Sequence, residues 1–270
     1  MRTARQLVDL LRAKQDNDKS LGQHFLINDE LIAKSIEFGR VTKDDHVLEI
    51  GPGPGVLTEA LLSTGCTVTA IEIDSGAVEH LNSVFSTELE SQQLTIHQGD
   101  ALQVNWPSDI TKVIANIPYQ ISSPLIELLT RYIRSKWQHL VKVILLVQEE
   151  FAERLVMEYE SDVGSLGMTA LLDWQCDILA KVPPHHFSPN PKVNSCFIEM
   201  IPSNEEFAVD KRLVKQIIHQ AFNQRRKKLR TSLKSTPRRL NRIPNWYSAR
   251  WKFAYTNLVG DERMEARPEE

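Results

Sequence analysis

The sequence has little cysteine: Cys66, Cys176 and Cys196, far apart and odd in number. That excludes a disulfide framework and offers no zinc-ligand spacing, so reduced thiols in a cytoplasmic protein are the expectation. Long apolar runs are missing as well, none approaching the ~18 residues of a transmembrane helix. The first twenty residues carry Arg2, Arg5, Arg12, Lys14 and Lys19 without an apolar segment, so no secretory signal is expected. There are no internal repeats and no low-complexity tracts. His185 and His186 are adjacent and expected to point apart, and no third ligand has suitable spacing. No metal site is expected.

What is present is a globular composition. With 270 residues, 41% hydrophobic and 25% charged, the chain can bury a core as one large domain or two unequal ones. The formal net charge of -3 hides a segregation. Fourteen Lys and Arg, and no Asp or Glu, lie between Lys211 and Lys252, whereas the other 228 residues hold 18 basic and 35 acidic side chains. A solvated surface helix usually alternates its charges. A basic block on an acidic protein is instead the footprint of a polyanion partner, nucleic acid first. Trp246, Trp251 and Phe253 in the same stretch make a membrane surface the weaker rival.

The apolar pattern reads as strands alternating with helices. Strands are expected at 47–50, 67–73, 94–98, 112–115 and 141–147, with helices at 3–14, 29–38, 56–63, 75–85, 124–133 and 151–159. This predicts an α/β doubly wound, mostly parallel sheet covered on both faces. Two late strands, near 177–182 and 193–201, have no clear helix between them and predict an antiparallel hairpin at one edge. The turn Ile201-Pro202-Ser203-Asn204 then marks a boundary. Residues 1–203 are expected to form the catalytic domain, with a helical arm at 1–20, and 204–270 a small basic α-helical domain.

Four features fall at strand ends, the edge where ligands bind in such sheets. Gly51, Gly53 and Gly55 follow the first strand and allow close backbone approach to a ligand. They are not a dinucleotide fingerprint, because Val56 fills the third glycine place. Glu72 ends the second strand, at an offset that suits ribose hydroxyls. Asp100 ends the third and can accept from an adenine amine. Asn116-Ile117-Pro118-Tyr119 follows the fourth. There the Asn116 carbonyl and a backbone carbonyl of Ile117 or Pro118 can accept both hydrogens of an exocyclic amine, while Tyr119 stacks on the ring. This chemistry is positioning plus electrostatics and needs no strong base. Phe187, in a proline-stiffened loop, either covers the other face of the base or packs beneath the loop.

Together LGQHFL (21–26), LEIGPGPGVLT (48–58), Glu72 in IEID, GDAL (99–102), NIPYQISSP (116–124), VQEEFAERL (147–155), FSPNPKVNS (187–195) and QRRKKLRTSLK (224–234) resemble one family over nearly the whole chain. It is the ribosomal RNA adenine dimethyltransferases, and QISSP resembles the archaeal and eukaryotic branch. The resemblance implies a Rossmann-like class I methyltransferase sheet with S-adenosylmethionine as methyl donor and S-adenosylhomocysteine as product. His24 and Leu26 would close over the cofactor, Gly51 pack beside its methionine part with Gly53 also in the cofactor site, Glu72 bind the ribose and Asp100 the adenine. Asn116, beside Pro118, would lie between cofactor and target amine, with Tyr119 and Phe187 sandwiching the target base. The implied reaction dimethylates two adjacent adenosines near the 3′ end of small-subunit rRNA in a pre-ribosomal particle. A ribosome-assembly factor whose catalysis is secondary is the alternative. A cytoplasmic monomer without metal is expected. Arg225, Arg226, Lys227, Lys228 and Arg230 are the expected RNA contacts. If helical, these five cannot share one face.

Overall fold

The computed structural model describes residues 2–13, 23–135, 139–203, 205 and 208–270. Residues 14–20 of the expected N-terminal arm, Leu21 and Gly22 of LGQHFL, and Asn204 of the boundary turn lie outside the described residues. The chain divides into two compact units. The first is Met1–Ala152 with Gln175–Pro202, and the second is Glu153–Trp174 with Ser203–Glu270. The segment 153–174, read from sequence as part of the catalytic domain, therefore belongs to the second unit.

In the first unit the strands are β1 (Phe25–Leu26), β2 (His46–Ile50), β3 (Thr67–Glu72), β4 (Leu94–Gln98), β5 (Lys112–Asn116), β6 (Lys142–Gln148), β7 (Trp174–Val182), β8 (Phe187–Ser188) and β9 (Ser195–Pro202). The helices are α1 (Ala4–Arg12), α2 (Asp29–Gly39), α3 (Val56–Leu62), α4 (Ser75–Val84), α5 (Ser86–Glu90) and α6 (Ser122–Ile133), with α7 (Glu149–Val156) leading out of the unit. Seven strands form one sheet in the order β4-β3-β2-β5-β6-β9-β7. The first five of these pair in parallel, and β9 runs antiparallel to β6 from Val143↔Met200 to Gln148↔Ser195. The late antiparallel element is thus at one side of the sheet as expected, with β9 inside and β7 at the edge.

The parallel strands form because their runs are apolar on both faces. Val47, Leu48, Val68, Ala70, Val113, Val143, Leu145 and Val147 are all buried. Each fully buried Val or Leu contributes ~1.5–3 kcal/mol relative to exposure. Helix starts are written locally. Thr3 and Gln6 make a capping box on α1, the Asn28 side chain caps α2, and Asp74 caps α4 by accepting from Gly76 and Ala77. Pairing Ile50 with Ile71 and Glu72 with Gln98 puts the strand ends in line. Gly51 N–H then bonds Ile71 O at 2.9 Å and Gly99 N–H bonds Glu72 O at 2.8 Å, so the loops leave the sheet from one common edge. A separate two-stranded sheet pairs Phe25 with Ser188 and Leu26 with Phe187. Strands this short carry no period in the sequence.

The second unit is helical: α8 (Ser165–Ala170), α9 (Lys211–Phe222), α10 (Leu229–Ser232) and α11 (Ser248–Leu258). Its core is small, with Leu240, Ile243 and Trp251 backed by Leu213, Ile217, Leu233 and Trp246. Buried Asp173 pairs with Lys215 at 2.7 Å and Lys211 at 3.7 Å, joining the two sequence segments of this unit.

Candidate active site

A cleft opens along the carboxyl edge of the parallel strands. Its walls come from 23–26, the glycine turn, the ends of β3 and β4, and 116–121. Gly51 and Gly53 have φ of +67° and +52°, a region that disfavours side chains. At Gly53 a Cβ would also stand 2.7 Å from Cε1 of Phe25, so the turn and β1 approach as closely as they do only without a side chain there. Glu72 is buried, and its two carboxylate oxygens accept from Gly53 N–H and Asp74 N–H, each at 2.9 Å. Burial pushes the Glu72 carboxyl up, and the Asp74 and Gly53 donors offset part of that. Asp100 accepts from Leu102 N–H at 2.9 Å and from Gln103 Nε2 at 2.6 Å, which holds its carboxylate at the cleft.

Beyond the turn, Asn116 donates from Nδ2 to His24 O at 3.4 Å, a long bond. Among the described residues its Oδ1 has no hydrogen-bond partner. The Pro118 carbonyl accepts Ile121 N–H at 3.1 Å and closes the short turn that launches α6. Tyr119 Oη lies 2.7 Å from Oγ of Ser195, which is buried at the start of β9. Burial raises the Tyr119 phenol and the Ser195 bond partly offsets it, so the ring is neutral at physiological pH. The His24 ring is near-parallel to that of Tyr119, with centroids 6.1 Å apart, and His24 Nδ1 donates to Pro189 O at 2.8 Å.

A family model described as "Ribosomal RNA adenine dimethylase" matches residues 14–258. The chain belongs to that family. The "Ribosomal RNA small subunit methyltransferase A" of Brucella melitensis is 38% identical over 224 residues, covering 80% of each chain. The "Probable ribosomal RNA small subunit methyltransferase A" of Haloarcula marismortui is 35% identical, covering 83% of this chain and 78% of its own. A solved dimethyladenosine transferase from Plasmodium falciparum superposes with TM-score 0.74 at 28% identity, over 90% of both chains. The 23S rRNA methyltransferase ErmE shares the fold, with TM-score 0.63 at 22% identity. Bacterial and archaeal relatives thus stand at similar identity.

The dimethylase is an S-adenosylmethionine-dependent enzyme, and its cleft fits that cofactor. The glycine turn is a cradle that side chains would fill, and carboxylates able to accept from hydroxyl or amine donors stand at two successive strand ends. His24, Leu26, Gly51, Gly53, Glu72, Asp100, Asn116, Pro118 and Tyr119 all line this one cleft. Phe187 does not. It is 1% exposed, paired through β8 with Leu26 and packed in the main core, so the ring that runs near-parallel to Tyr119 is that of His24. Two residues of the site were not singled out in the sequence. Ser195 gives no local signal. Glu49 does give one, as a carboxyl in the middle of the apolar strand VLEI.

Glu49 is 1% exposed, lines the cleft and accepts from Thr58 Oγ1 at 2.7 Å. Burial pushes it from the ordinary 4.5 to about 8, with the Thr58 bond opposing and the Glu72 charge adding. The folded state therefore holds a proton that the unfolded chain releases near 4.5. This contribution to stability is complete below pH 4.5, declines as pH rises, and is gone above about 8. Glu49→Gln should flatten the pH dependence of the urea midpoint across that window. A slope that survives the substitution would assign it to other groups.

The basic segment of the second unit is a turn between two helices, and of the five expected RNA contacts only Arg230 lies in a helix. α9 stops at Phe222, a turn closes with Lys227 N–H bonding Gln224 O at 2.7 Å, and α10 begins at Leu229. Three of its cations meet carboxylates: Arg225 with Glu269 at 3.6 Å, Lys228 with Glu265 at 2.7 Å and Arg230 with Glu265 at 2.8 Å. Arg226 and Lys227 are exposed and form no ion pair with the described residues. His185 and His186 also depart from expectation, since their rings lie together with centroids 4.0 Å apart. No group of three metal-ligating side chains and no helix long and apolar enough to cross a membrane occurs among the described residues.

Proposed function

We propose that the chain dimethylates two adjacent adenosines near the 3′ end of small-subunit rRNA, in a pre-ribosomal particle during ribosome biogenesis. The observation that carries this reading is the Asn116-Ile117-Pro118-Tyr119 turn at the same cleft as the glycine turn and Glu72. Its support on the substrate side is the name shared by the relatives. When bound, S-adenosylmethionine supplies an electrophilic methyl group on a sulfonium. The chain's own residues present the amine. Its lone pair is conjugated into the adenine ring, so the amine is a weak nucleophile. Oδ1 of Asn116 and a backbone carbonyl accept its two hydrogens and favour a pyramidal nitrogen. Because the Pro118 carbonyl already accepts from Ile121, Ile117 is the better second acceptor. The amine would gain the methyl as the methyl–sulfur bond breaks, with S-adenosylhomocysteine as the leaving group. It would shed one proton to solvent, since Asn116 has no titratable group with which to take it. Tyr119, anchored by Ser195, offers the face on which an extruded base stacks.

The decisive experiment is transfer of labelled methyl to unmethylated small subunits and to large subunits, with products identified by mass spectrometry. Dimethyladenosine confined to the small subunit supports the proposal, and label confined to the large subunit overturns it. The expected state is a cytoplasmic monomer, checked by sedimentation and by cell fractionation.

The basic segment is read as a phosphate-binding surface whose working cations are Arg226 and Lys227. Replacing both with Gln should lower the slope of log affinity on log salt by ~0.7–0.9 for each phosphate left without its cation. Replacing Arg225 and Lys228, already engaged by Glu269 and Glu265, should move it less. Particle binding measured across a salt series checks this, and equal slopes for both variants would remove the distinction.

A further inference from the structure

The aromatic residues of the basic stretch are not explained by phosphate binding, and they divide into two sets. Trp251 is buried, donating from Nε1 to Leu233 O at 3.0 Å, and Tyr255 donates from Oη to Arg230 O at 2.7 Å. These two residues are four apart, on one face of α11. They fix how the helix is rotated against its core. Phe253 lies two residues beyond Trp251, about 200° around the helix, so the same two bonds turn it outward. It is 70% exposed, and Tyr247 just before the helix is 59% exposed. Arg250, one turn before Phe253, lays its guanidinium 4.8 Å from the Trp246 ring centroid, a charged planar surface beside the aromatic one. Lys252 is exposed next to Phe253.

We infer that this face of α11, with Phe253 at its centre, is a stacking platform for unpaired nucleotides of the RNA substrate. The inference rests on the rRNA reading above and deepens it. Charge complementarity names the occupant. The face belongs to a stretch with fourteen cations and no carboxylate of its own. Six of them pair with carboxylates elsewhere. Arg250 and Lys252 on this face are exposed and form no ion pair with the described residues, which suits a phosphate backbone. Flat rings interleaved with cations are what a single strand requires, since every base has a π-face and every nucleotide a charge. A duplex hides its base faces and would leave Phe253 unused. The platform therefore grips unpaired nucleotides, while Arg226 and Lys227 hold backbone.

The test is the affinity of the full chain for a protein-free, unmethylated 3′-terminal small-subunit rRNA fragment with unpaired nucleotides, and for a fully paired control. Phe253→Ala should weaken binding to the first by ~5-fold or more, the low end for losing one base stack, and leave the second unchanged. Phe253→Trp should retain affinity and Phe253→Leu should not. None of these should change the salt slope, because no charge is altered. Full affinity in Phe253→Leu would show an apolar contact without stacking and overturn the inference. So would a loss seen only with the intact ribonucleoprotein particle, which would make the partner a protein. Arg226→Gln with Lys227→Gln is the control. If it weakens binding while Phe253→Ala does not, RNA binding stands and the platform fails. If neither matters and no methyl is transferred, the rRNA reading itself has failed.

Discussion

Asn116→Ala is expected to lower turnover by ~10²-fold or more while leaving cofactor affinity close to that of the unaltered chain. The asymmetry comes from the geometry. Asn116 ends β5, its Nδ2 makes only a long bond to the His24 carbonyl, and its Oδ1 is left for a ligand. In the proposed reaction it would accept from an amine whose hydrogens become more acidic as the new bond forms, so the contact would strengthen towards the transition state. Losing it removes differential binding, not ground-state binding. The side chain is half-buried and carries none of the strand's ladder bonds, so the fold should survive. Single-turnover methylation with saturating cofactor reads the chemical step directly. A near-normal rate there would take Asn116 out of the amine-orienting role. Asn116→Asp is the informative companion. It keeps an acceptor but adds a negative charge, and should recover more of the rate than alanine if acceptance is the function.

The second large effect is expected at Glu72. Glu72→Ala should weaken S-adenosylmethionine binding by ~1.5–3 kcal/mol, the range for hydrogen bonds to a charged group. The structure adds a second consequence. Both carboxylate oxygens also accept backbone N–H groups, from the glycine turn on one side and from the start of the α4 cap on the other. Removing the side chain leaves two donors unsatisfied in a buried place, so stability should fall as well. Glu72→Gln separates the two roles imperfectly, because its amide nitrogen would face a backbone donor. Calorimetric titration reports the effect on the cofactor and urea denaturation the effect on the fold. Unchanged cofactor affinity in a folded Glu72→Ala variant would remove this residue from the binding site.

The parallel sheet was legible because its strands are apolar runs closed by glycine or acid. VLEIGPG and VTAIEID announce both the strand and the edge at which it ends. The shorter elements around the sheet were harder to read. β8 and β1 are two residues each and are held by pairing with one another, a contact between segments far apart in the chain that no local pattern encodes. Phe187 shows the same limit within the site. An aromatic ring in a proline-rich loop suits a core and a base equally well, and only the pairing of Leu26 with Phe187 turns it inward. In QRRKKLR the density of charge was plain. Which cations remain available depends on Glu265 and Glu269, more than thirty residues downstream.

The register of β9 against β6 sets a tolerance on how this chain can vary. Six consecutive pairs run from Val143↔Met200 to Gln148↔Ser195, and the last of them delivers the hydroxyl that anchors Tyr119. Successive side chains on a strand alternate between faces, so a one-residue slip would turn Ser195 away from Tyr119 and push Phe197 and Met200 out of their places. In the turn before the strand, Lys192 and Val193 are exposed, whereas Pro191 is buried and Asn194 is tied to Glu149 through its carbonyl and its side chain, so a change in length is best placed at 192–193. The same change within β9 is not absorbed, because the strand acts as a ruler that transfers an error in length directly to the Ser195–Tyr119 contact.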